Sequence, residues 1–104
     1  MTTFPDPARL ETGVGEAQTW LESETPPKLI DCREEDEFEI CRLPGAELMP
    51  LSRWPDALAN SAPDLGDPLL IYCHHGTRSL RAAEHLRSLG YTATFSLSGG
   101  IDAW

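Results

Sequence analysis

The run Pro68-Leu69-Leu70-Ile71-Tyr72 is the strongest constraint on how this chain folds. It is apolar without polar alternation, which predicts a β-strand that is buried on both faces. Strands of this kind lie in the middle of parallel sheets, where helices cover both faces. We therefore expect an α/β fold with a small, mostly parallel sheet flanked by helices on both faces.

Helical and extended patterns alternate along the rest of the chain, as this fold requires. Residues 1–12 are polar and are expected to lead into a single domain over 1–104. The predicted elements, in order, are a helix over 14–23, a strand over 28–32, a helical turn over 34–39, a turn over 43–45, a short strand over 47–49, a helix near Pro55 that Ser52 caps, the strand over 68–72, a helix that ends at Gly90, a strand over 92–97 and a helical turn over 101–104.

The composition narrows the range of partners. Seventeen acidic residues oppose eight basic ones, for a net charge of −9. A surface of this sign disfavours nucleic acid and anionic membranes as partners. The chain has no apolar run of the roughly 20 residues that a membrane span needs, and its first residues lack the pattern of a signal peptide. We therefore expect a cytoplasmic protein whose three cysteines are free thiols.

Cys73 stands where chemistry is expected in such a fold. It directly follows the buried strand, and the segment after it leads into a helix. The first N–H groups of a helix lack intrahelical partners and attract anions. Gly76 lets the backbone curl, and Arg78 adds a permanent positive charge. This setting lowers the pKa of a thiol and favours the reactive thiolate.

A thiolate in such a loop can attack the outer sulfur of a thiosulfonate or persulfide and hold that sulfur as a persulfide. The same N–H groups then stabilise the persulfide anion until a second nucleophile takes the sulfur. This two-step transfer needs neither a metal ion nor an organic cofactor. The alternative interpretation of Cys73 is an inert cysteine buried at the end of a strand, and that of Arg78 is an exposed arginine in the first turn of the helix.

The motif from Cys73 to Ser79 resembles the active-site loop of the rhodanese family. Three other segments resemble signatures of the same family and follow the same order along the chain. They are Leu29-Ile30-Asp31-Cys32-Arg33-Glu34 with Glu37-Phe38, Leu43-Pro44-Gly45-Ala46 with Pro50, and Leu97-Ser98-Gly99-Gly100-Ile101-Asp102-Ala103-Trp104. The resemblance implies a rhodanese-like fold and a sulfurtransferase that uses thiosulfate or a persulfide as the donor.

The length of the loop supports sulfur as the transferred atom. Four residues separate Cys73 from Arg78, whereas the related phosphatases have five and form a wider cradle for phosphate. A Cys-dependent phosphatase or arsenate reductase is therefore the less favoured alternative. A non-catalytic module that uses the same fold to bind a partner is a further alternative.

Each of the other candidate site residues has alternative roles. The loop residues His74, His75, Gly76 and Thr77 are expected to surround the bound anion, with one histidine either tuning the thiolate or lying exposed. Two adjacent histidines rarely converge on one ion, so no metal site is expected. Ser79 either donates to the sulfur anion or assists the start of the helix.

The first signature contributes supporting residues and one further cysteine, and another cysteine, Cys41, follows it. Asp31 and Arg33 are expected to make structural contacts near the active loop. Cys32 and Cys41 are expected to be structural, although either could act as a resolving thiol for Cys73.

The segment Ile40-Cys41-Arg42-Leu43-Pro44 is similar to rhodanese domains that are fused to enzymes activating ubiquitin-like sulfur carriers. The partner is accordingly expected to be a small-molecule sulfur donor, or a protein persulfide or sulfur carrier. The oligomeric state and the identity of the sulfur acceptor are not readable from the sequence.

Overall fold

A computed structural model describes residues 9–54 and 64–104. These residues form a five-stranded sheet in the order β1-β5-β4-β2-β3. In chain order, the elements are β1 (Glu11–Thr12), α1 (Val14–Leu21), β2 (Lys28–Asp31), α2 (Glu35–Ile40), β3 (Glu47–Leu48), a 3-10 turn (Leu51–Arg53), β4 (Leu69–Tyr72), α3 (Thr77–Ser88), β5 (Thr94–Leu97) and α4 (Gly100–Ala103). The helix predicted near Pro55 lies outside the described residues.

The central position of β4 confirms the interpretation of its sequence. It pairs in parallel with β2 on one side and with β5 on the other, and all four of its residues are buried. The remaining pairings, β1 with β5 and β2 with β3, are parallel as well. Because parallel strands end at the same edge of a sheet, the residues that follow β2, β4 and β5 come together there.

The sheet separates two apolar clusters, one on each face, as alternating side chains along the strands require. Helix α3 covers one face through Ala82 and Leu86, and helix α1 covers the other through Ala17 and Trp20. The strands contribute Ile30, Leu69 and Ile71 to the first cluster, and Leu29, Leu70, Tyr72, Phe95 and Leu97 to the second. Helices on both faces of the sheet are therefore confirmed.

Glu11 and Thr12 correct the description of residues 1–12 as a polar lead-in. They form β1 at the edge of the sheet, where they pair with Ser96 and Leu97. A strand of two residues is too short to show alternation in the sequence, and the neighbouring β5 alone defines it.

The acidic segment after β2 forms helix α2, which extends the single helical turn that was expected. Its start is closed by a capping box, in which the backbone N–H of Glu34 donates to Glu37 Oε1 at 3.1 Å. Acidic side chains in the first turn also complement the helix dipole. This cap fixes the position of Glu37, which contacts Arg78 in the first turn of α3.

Within the part of the chain that the structure describes, helices are too short or too polar to cross a membrane.

Candidate active site

Cys73 follows the last residue of β4, and its side chain lies inside the loop that leads to α3. The residue is 1% exposed. The loop curls around the sulfur because Gly76 adopts a left-handed conformation with φ of 105°. A Cβ on Gly76 would also crowd the backbone nitrogen of Gly99, at 3.0 Å. Gly76 is thus required both for the turn and for the close approach of the C-terminal segment.

Donor groups of the loop and of α3 surround the Cys73 sulfur. The backbone N–H groups of Gly76 and Ser79 donate to Sγ at 3.1 Å and 3.4 Å. The Ser79 hydroxyl oxygen lies 3.5 Å from the same sulfur. It also lies 2.7 Å from the hydroxyl of Ser96, and it donates to the carbonyl oxygen of Gly76 at 3.1 Å. Ser79 is buried beside the sulfur, and its donation to the sulfur anion stays a prediction.

Cys32 is a donor that the sequence did not assign to the site. A hydrogen bond from its thiol is the largest cause that lowers the pKa of Cys73, followed by the hydroxyl and N–H of Ser79 and the N–H of Gly76. Burial acts in the opposite direction, and the balance lowers the pKa of Cys73 to about 4. The same hydrogen bond, with burial, raises the pKa of the Cys32 thiol far above its ordinary value. Cys73 is therefore a thiolate at neutral pH, and Cys32 is a thiol.

Arg78 lies in the first turn of α3 and pairs with Glu37 of α2. Its two terminal nitrogens donate to Glu37 Oε1 and Oε2, each at 2.8 Å. The Arg78 side chain stays 41% exposed. The hydrogen bonds from Arg78 lower the pKa of Glu37 to about 2, although burial opposes this. The positive charge of Arg78 lies beside the active loop, and its predicted contact with a bound anion stays a prediction.

His74 and His75 are exposed on the outer side of the loop. Their rings stack with centroids 4.1 Å apart, and each faces the Asp102 carboxylate, at 4.0 Å and 3.7 Å. One ligand atom from each of these residues lies within 4.8 Å of the others, so this triad could hold a metal ion. All three side chains are exposed to solvent, and exposed acidic groups are common where no ion is bound. The absence of a functional metal stays a prediction.

A cleft of about 230 Å³ lies beside the loop. Thr77, a predicted loop residue, lines this cleft together with Ser98 and Gly99 of the C-terminal signature and with Glu11 of the edge strand β1. The residues that line the cleft are Glu11, His75, Gly76, Thr77, Leu80, Ser98 and Gly99.

Asp31 and Arg33 form a buried ion pair beneath the loop. The Arg33 side chain donates to Asp31 Oδ2 at 2.7 Å, and its backbone N–H donates to Oδ1 at 2.9 Å. Arg33 also donates to the carbonyl oxygen of Cys41 at 2.6 Å. This pair connects the end of β2 to the segment after α2, and these hydrogen bonds do not involve Cys73. The supporting role of both residues stays a prediction.

The C-terminal signature covers the active loop. The backbone N–H groups of Ile101 and Asp102 donate to the carbonyl oxygens of Cys73 and His74 at 2.9 Å and 3.0 Å. Gly100 permits this contact, because a Cβ there would overlap both carbonyl oxygens. The first turn of α4 thus satisfies the carbonyl oxygens of Cys73 and His74, whereas the N–H groups of Gly76 and Ser79 face the sulfur.

The family model of the rhodanese-like domain matches residues 14–104. The chain belongs to the rhodanese-like domain family. The resemblance drawn from the four sequence motifs is therefore confirmed.

Two curated proteins are similar in sequence to this chain. The chain is 39% identical over 77 residues to the uncharacterized protein YqhL of Bacillus subtilis, matching 74% of this chain and 60% of that protein. It is 35% identical over 81 residues to the chloroplastic rhodanese-like/PpiC domain-containing protein 12 of Arabidopsis thaliana, matching 74% of this chain and 26% of that protein. The match thus spans less than two thirds of the length of these relatives.

A solved structure matches the rhodanese-like domain over most of both chains. The human single-domain sulfurtransferase TSTD1 superposes with a TM-score of 0.79 at 30% identity, covering 92% of this chain and 95% of that one. The α/β rhodanese fold with a parallel sheet is therefore confirmed.

Proposed function

We propose that this rhodanese-like domain is a sulfurtransferase that carries sulfane sulfur as a persulfide on Cys73. The observation that carries the proposal is the pair of backbone N–H groups, of Gly76 and Ser79, that donate to Cys73 Sγ. Such a set stabilises a sulfur anion before and after sulfur is taken up.

The first half of the reaction follows from this geometry. With thiosulfate as the donor, the Cys73 thiolate attacks the outer sulfur and forms a new S–S bond. The original S–S bond breaks, and its electron pair leaves with sulfite. Cys73 then bears a persulfide anion, whose charge the loop N–H groups and the helix N-terminus stabilise. No metal ion or organic cofactor is needed in this step.

The second half returns the thiolate. A nucleophilic acceptor, such as cyanide or a thiol, attacks the outer sulfur of the persulfide and removes it. The electron pair of the broken S–S bond goes back to Cys73. This is covalent catalysis in two displacements, so donor and acceptor use the site in turn.

Access to Cys73 limits the donors that fit. Since the residue is 1% exposed, the part of the donor that carries the transferred sulfur must be narrow enough to enter the loop. Thiosulfate and the persulfides of small thiols or of extended protein segments have this shape, which supports a small molecule, a protein persulfide or a sulfur carrier as partner. Because Arg78 is paired with Glu37, the N–H groups of Gly76 and Ser79 at the start of α3 are the groups that face an anionic donor.

The test is turnover of thiosulfate and cyanide to thiocyanate, combined with intact mass after thiosulfate alone. The proposal expects thiocyanate formation and, in samples quenched directly after thiosulfate is added, one added sulfur atom on Cys73. Cys73→Ser should lose both signals, and Cys41→Ser, which changes an exposed cysteine, should keep both. The proposal fails if the wild type neither turns over nor gains sulfur. Capture of a protein partner without any persulfide would instead indicate the non-catalytic binding module, and Cys73-dependent hydrolysis of an aryl phosphate would indicate a phosphatase.

A further inference from the structure

Cys32 is a buried thiol that the two displacements above do not consume. We propose that it is the resolving cysteine of this site: it attacks the Cys73 persulfide, forms a Cys32–Cys73 disulfide and releases hydrosulfide. This inference rests on the proposed function, since it needs the persulfide to form.

The register of the sheet places the two cysteines side by side. Asp31 of β2 pairs with Tyr72 of β4, and each cysteine is the next residue of its chain. The pairing continues past the strand ends, because the N–H of Cys32 donates to the carbonyl oxygen of Tyr72 at 3.1 Å. Neighbouring strands lie roughly 4.8 Å apart, and disulfides join residues whose Cα atoms are about 4.4–6.8 Å apart.

The side chains of both cysteines point to the same face of the sheet. They belong to one apolar cluster with Ile30 and Ile71, the residues two positions before them in β2 and β4. Because their strands pair directly in register, the two side chains lie next to each other on this face.

Cys32 lies directly beside the carrier cysteine in the interior. Both cysteines are 1% exposed, and the strands that end at them pair in register. Cys41, the third cysteine, is exposed and follows helix α2. A buried thiol next to the carrier sulfur can discharge the persulfide without an external acceptor in the site.

The resolving step balances in atoms and electrons. The Cys32 sulfur attacks the inner sulfur of the persulfide, which is Cys73 Sγ, and forms the new S–S bond. The bond from Sγ to the outer sulfur breaks, and its electron pair stays on the outer sulfur. That sulfur takes the proton of the Cys32 thiol and leaves as hydrosulfide. Both cysteines are oxidised and the sulfane sulfur is reduced, so no other oxidant is required.

The experiment is a single turnover without an acceptor. Protein is loaded with thiosulfate, freed of donor by desalting and held under anaerobic conditions. Released hydrosulfide is measured over time, and peptide mapping follows the Cys73 persulfide and the Cys32–Cys73 disulfide. The variants are Cys32→Ser, which keeps a hydroxyl donor beside Cys73, Cys32→Ala, which removes the donor, and Cys41→Ser as the matched control.

The wild type and Cys41→Ser should release about one hydrosulfide per loaded persulfide and gain the Cys32–Cys73 disulfide. Both Cys32 variants should retain their persulfide and release at least about tenfold less hydrosulfide. The inference is overturned if the wild-type persulfide persists as long as that of Cys32→Ser, or if hydrosulfide leaves without a disulfide between these two residues. Absence of any persulfide in all four proteins would overturn the proposed function itself, and this inference with it.

Discussion

The guanidinium of Arg78 and the carboxylate of Glu37 form two parallel hydrogen bonds of 2.8 Å, although the residues are 41 positions apart. Bidentate pairs of this type fix both partners in one orientation. Glu37 is itself held by the capping box of α2, so the pair connects the first signature of the family to the first turn after the active loop. It holds the Arg78 guanidinium in one orientation at the start of α3, although the side chain stays 41% exposed.

The ion pair predicts a pH-dependent contribution to stability. The pKa of Glu37 is lowered from 4.5 to about 2, so the pair stabilises the fold above pH 4.5 and this contribution is lost as the pH falls toward 2. Because Arg78 is 41% exposed, solvent limits the contribution to at most about 1 kcal/mol. Urea unfolding should therefore show wild type more stable than Glu37→Gln near neutral pH, with the difference vanishing in acid.

Glu35→Gln is the matched control for this measurement. Glu35 pairs with Arg53 at 3.3 Å, and both side chains are 62% exposed. Removing that charge should leave the midpoint of unfolding almost unchanged at every pH. An equal effect of both substitutions would indicate that the charge of α2, and not the contact with Arg78, is responsible.

A second prediction concerns the ionisation of Cys73. An ordinary cysteine has a pKa of about 8.5, whereas the donors around Cys73 lower its pKa to about 4. The thiolate should therefore persist through the neutral range and be protonated only as the pH falls through about 4. The ultraviolet thiolate absorbance of wild type minus that of Cys73→Ser measures this directly. A midpoint near the ordinary cysteine value would contradict the hydrogen-bonded arrangement.

Gly100 provides a third prediction, for the contact between the C-terminal turn and the active loop. Gly100→Ala places a Cβ against the carbonyl oxygens of Cys73 and His74, and its φ of 63° disfavours other residues. We expect a loss of about 2–4 kcal/mol in the free energy of unfolding, from overpacking and backbone strain. Thiocyanate formation should fall as well, since the loop loses the turn that orders it.

Gly15→Ala is the control for the loss of a glycine. Gly15 lies in α1, and an added Cβ meets nothing within 4 Å. Alanine is favoured over glycine inside a helix by about 1 kcal/mol, so this variant should equal or exceed the wild type in stability. Equal losses in the two variants would exclude a specific contact at Gly100.

The sequence predicted the features that local pattern determines. The apolar run before Cys73 was enough to place β4 at the centre of a parallel sheet, and Gly76 was enough to predict the tight loop. Features that depend on contacts between distant segments were not predicted. β1 forms only because it pairs with the edge of β5. Glu37 and Arg78 are partners only because the fold brings the start of α2 next to the start of α3.

The role of Cys32 shows the same limit at the site. Its position after a predicted strand was visible, and so was that of Cys73 after another strand. The sequence does not state which strands are neighbours or in what register they pair. Once Asp31 pairs with Tyr72, the two cysteines must be adjacent. The signal that could have found this contact is the identical position of both cysteines, directly after buried parallel strands.

The buried pair of Asp31 and Arg33 gives the last prediction. Asp31 is fully buried and Arg33 is 3% exposed, so removing one partner leaves a charge without compensation in the interior. Arg33→Ala should cost about 3–5 kcal/mol in the free energy of unfolding, whereas Arg53→Ala, which removes an exposed arginine, should cost little. The double variant Asp31→Asn, Arg33→Met removes both charges and should recover part of the loss, because a buried ion pair adds little beyond an apolar replacement. Urea unfolding of the four proteins separates the two contributions. If Arg33→Ala and the double variant lose the same stability, the loss comes from packing and from the bond to the Cys41 carbonyl, and not from an unpaired Asp31.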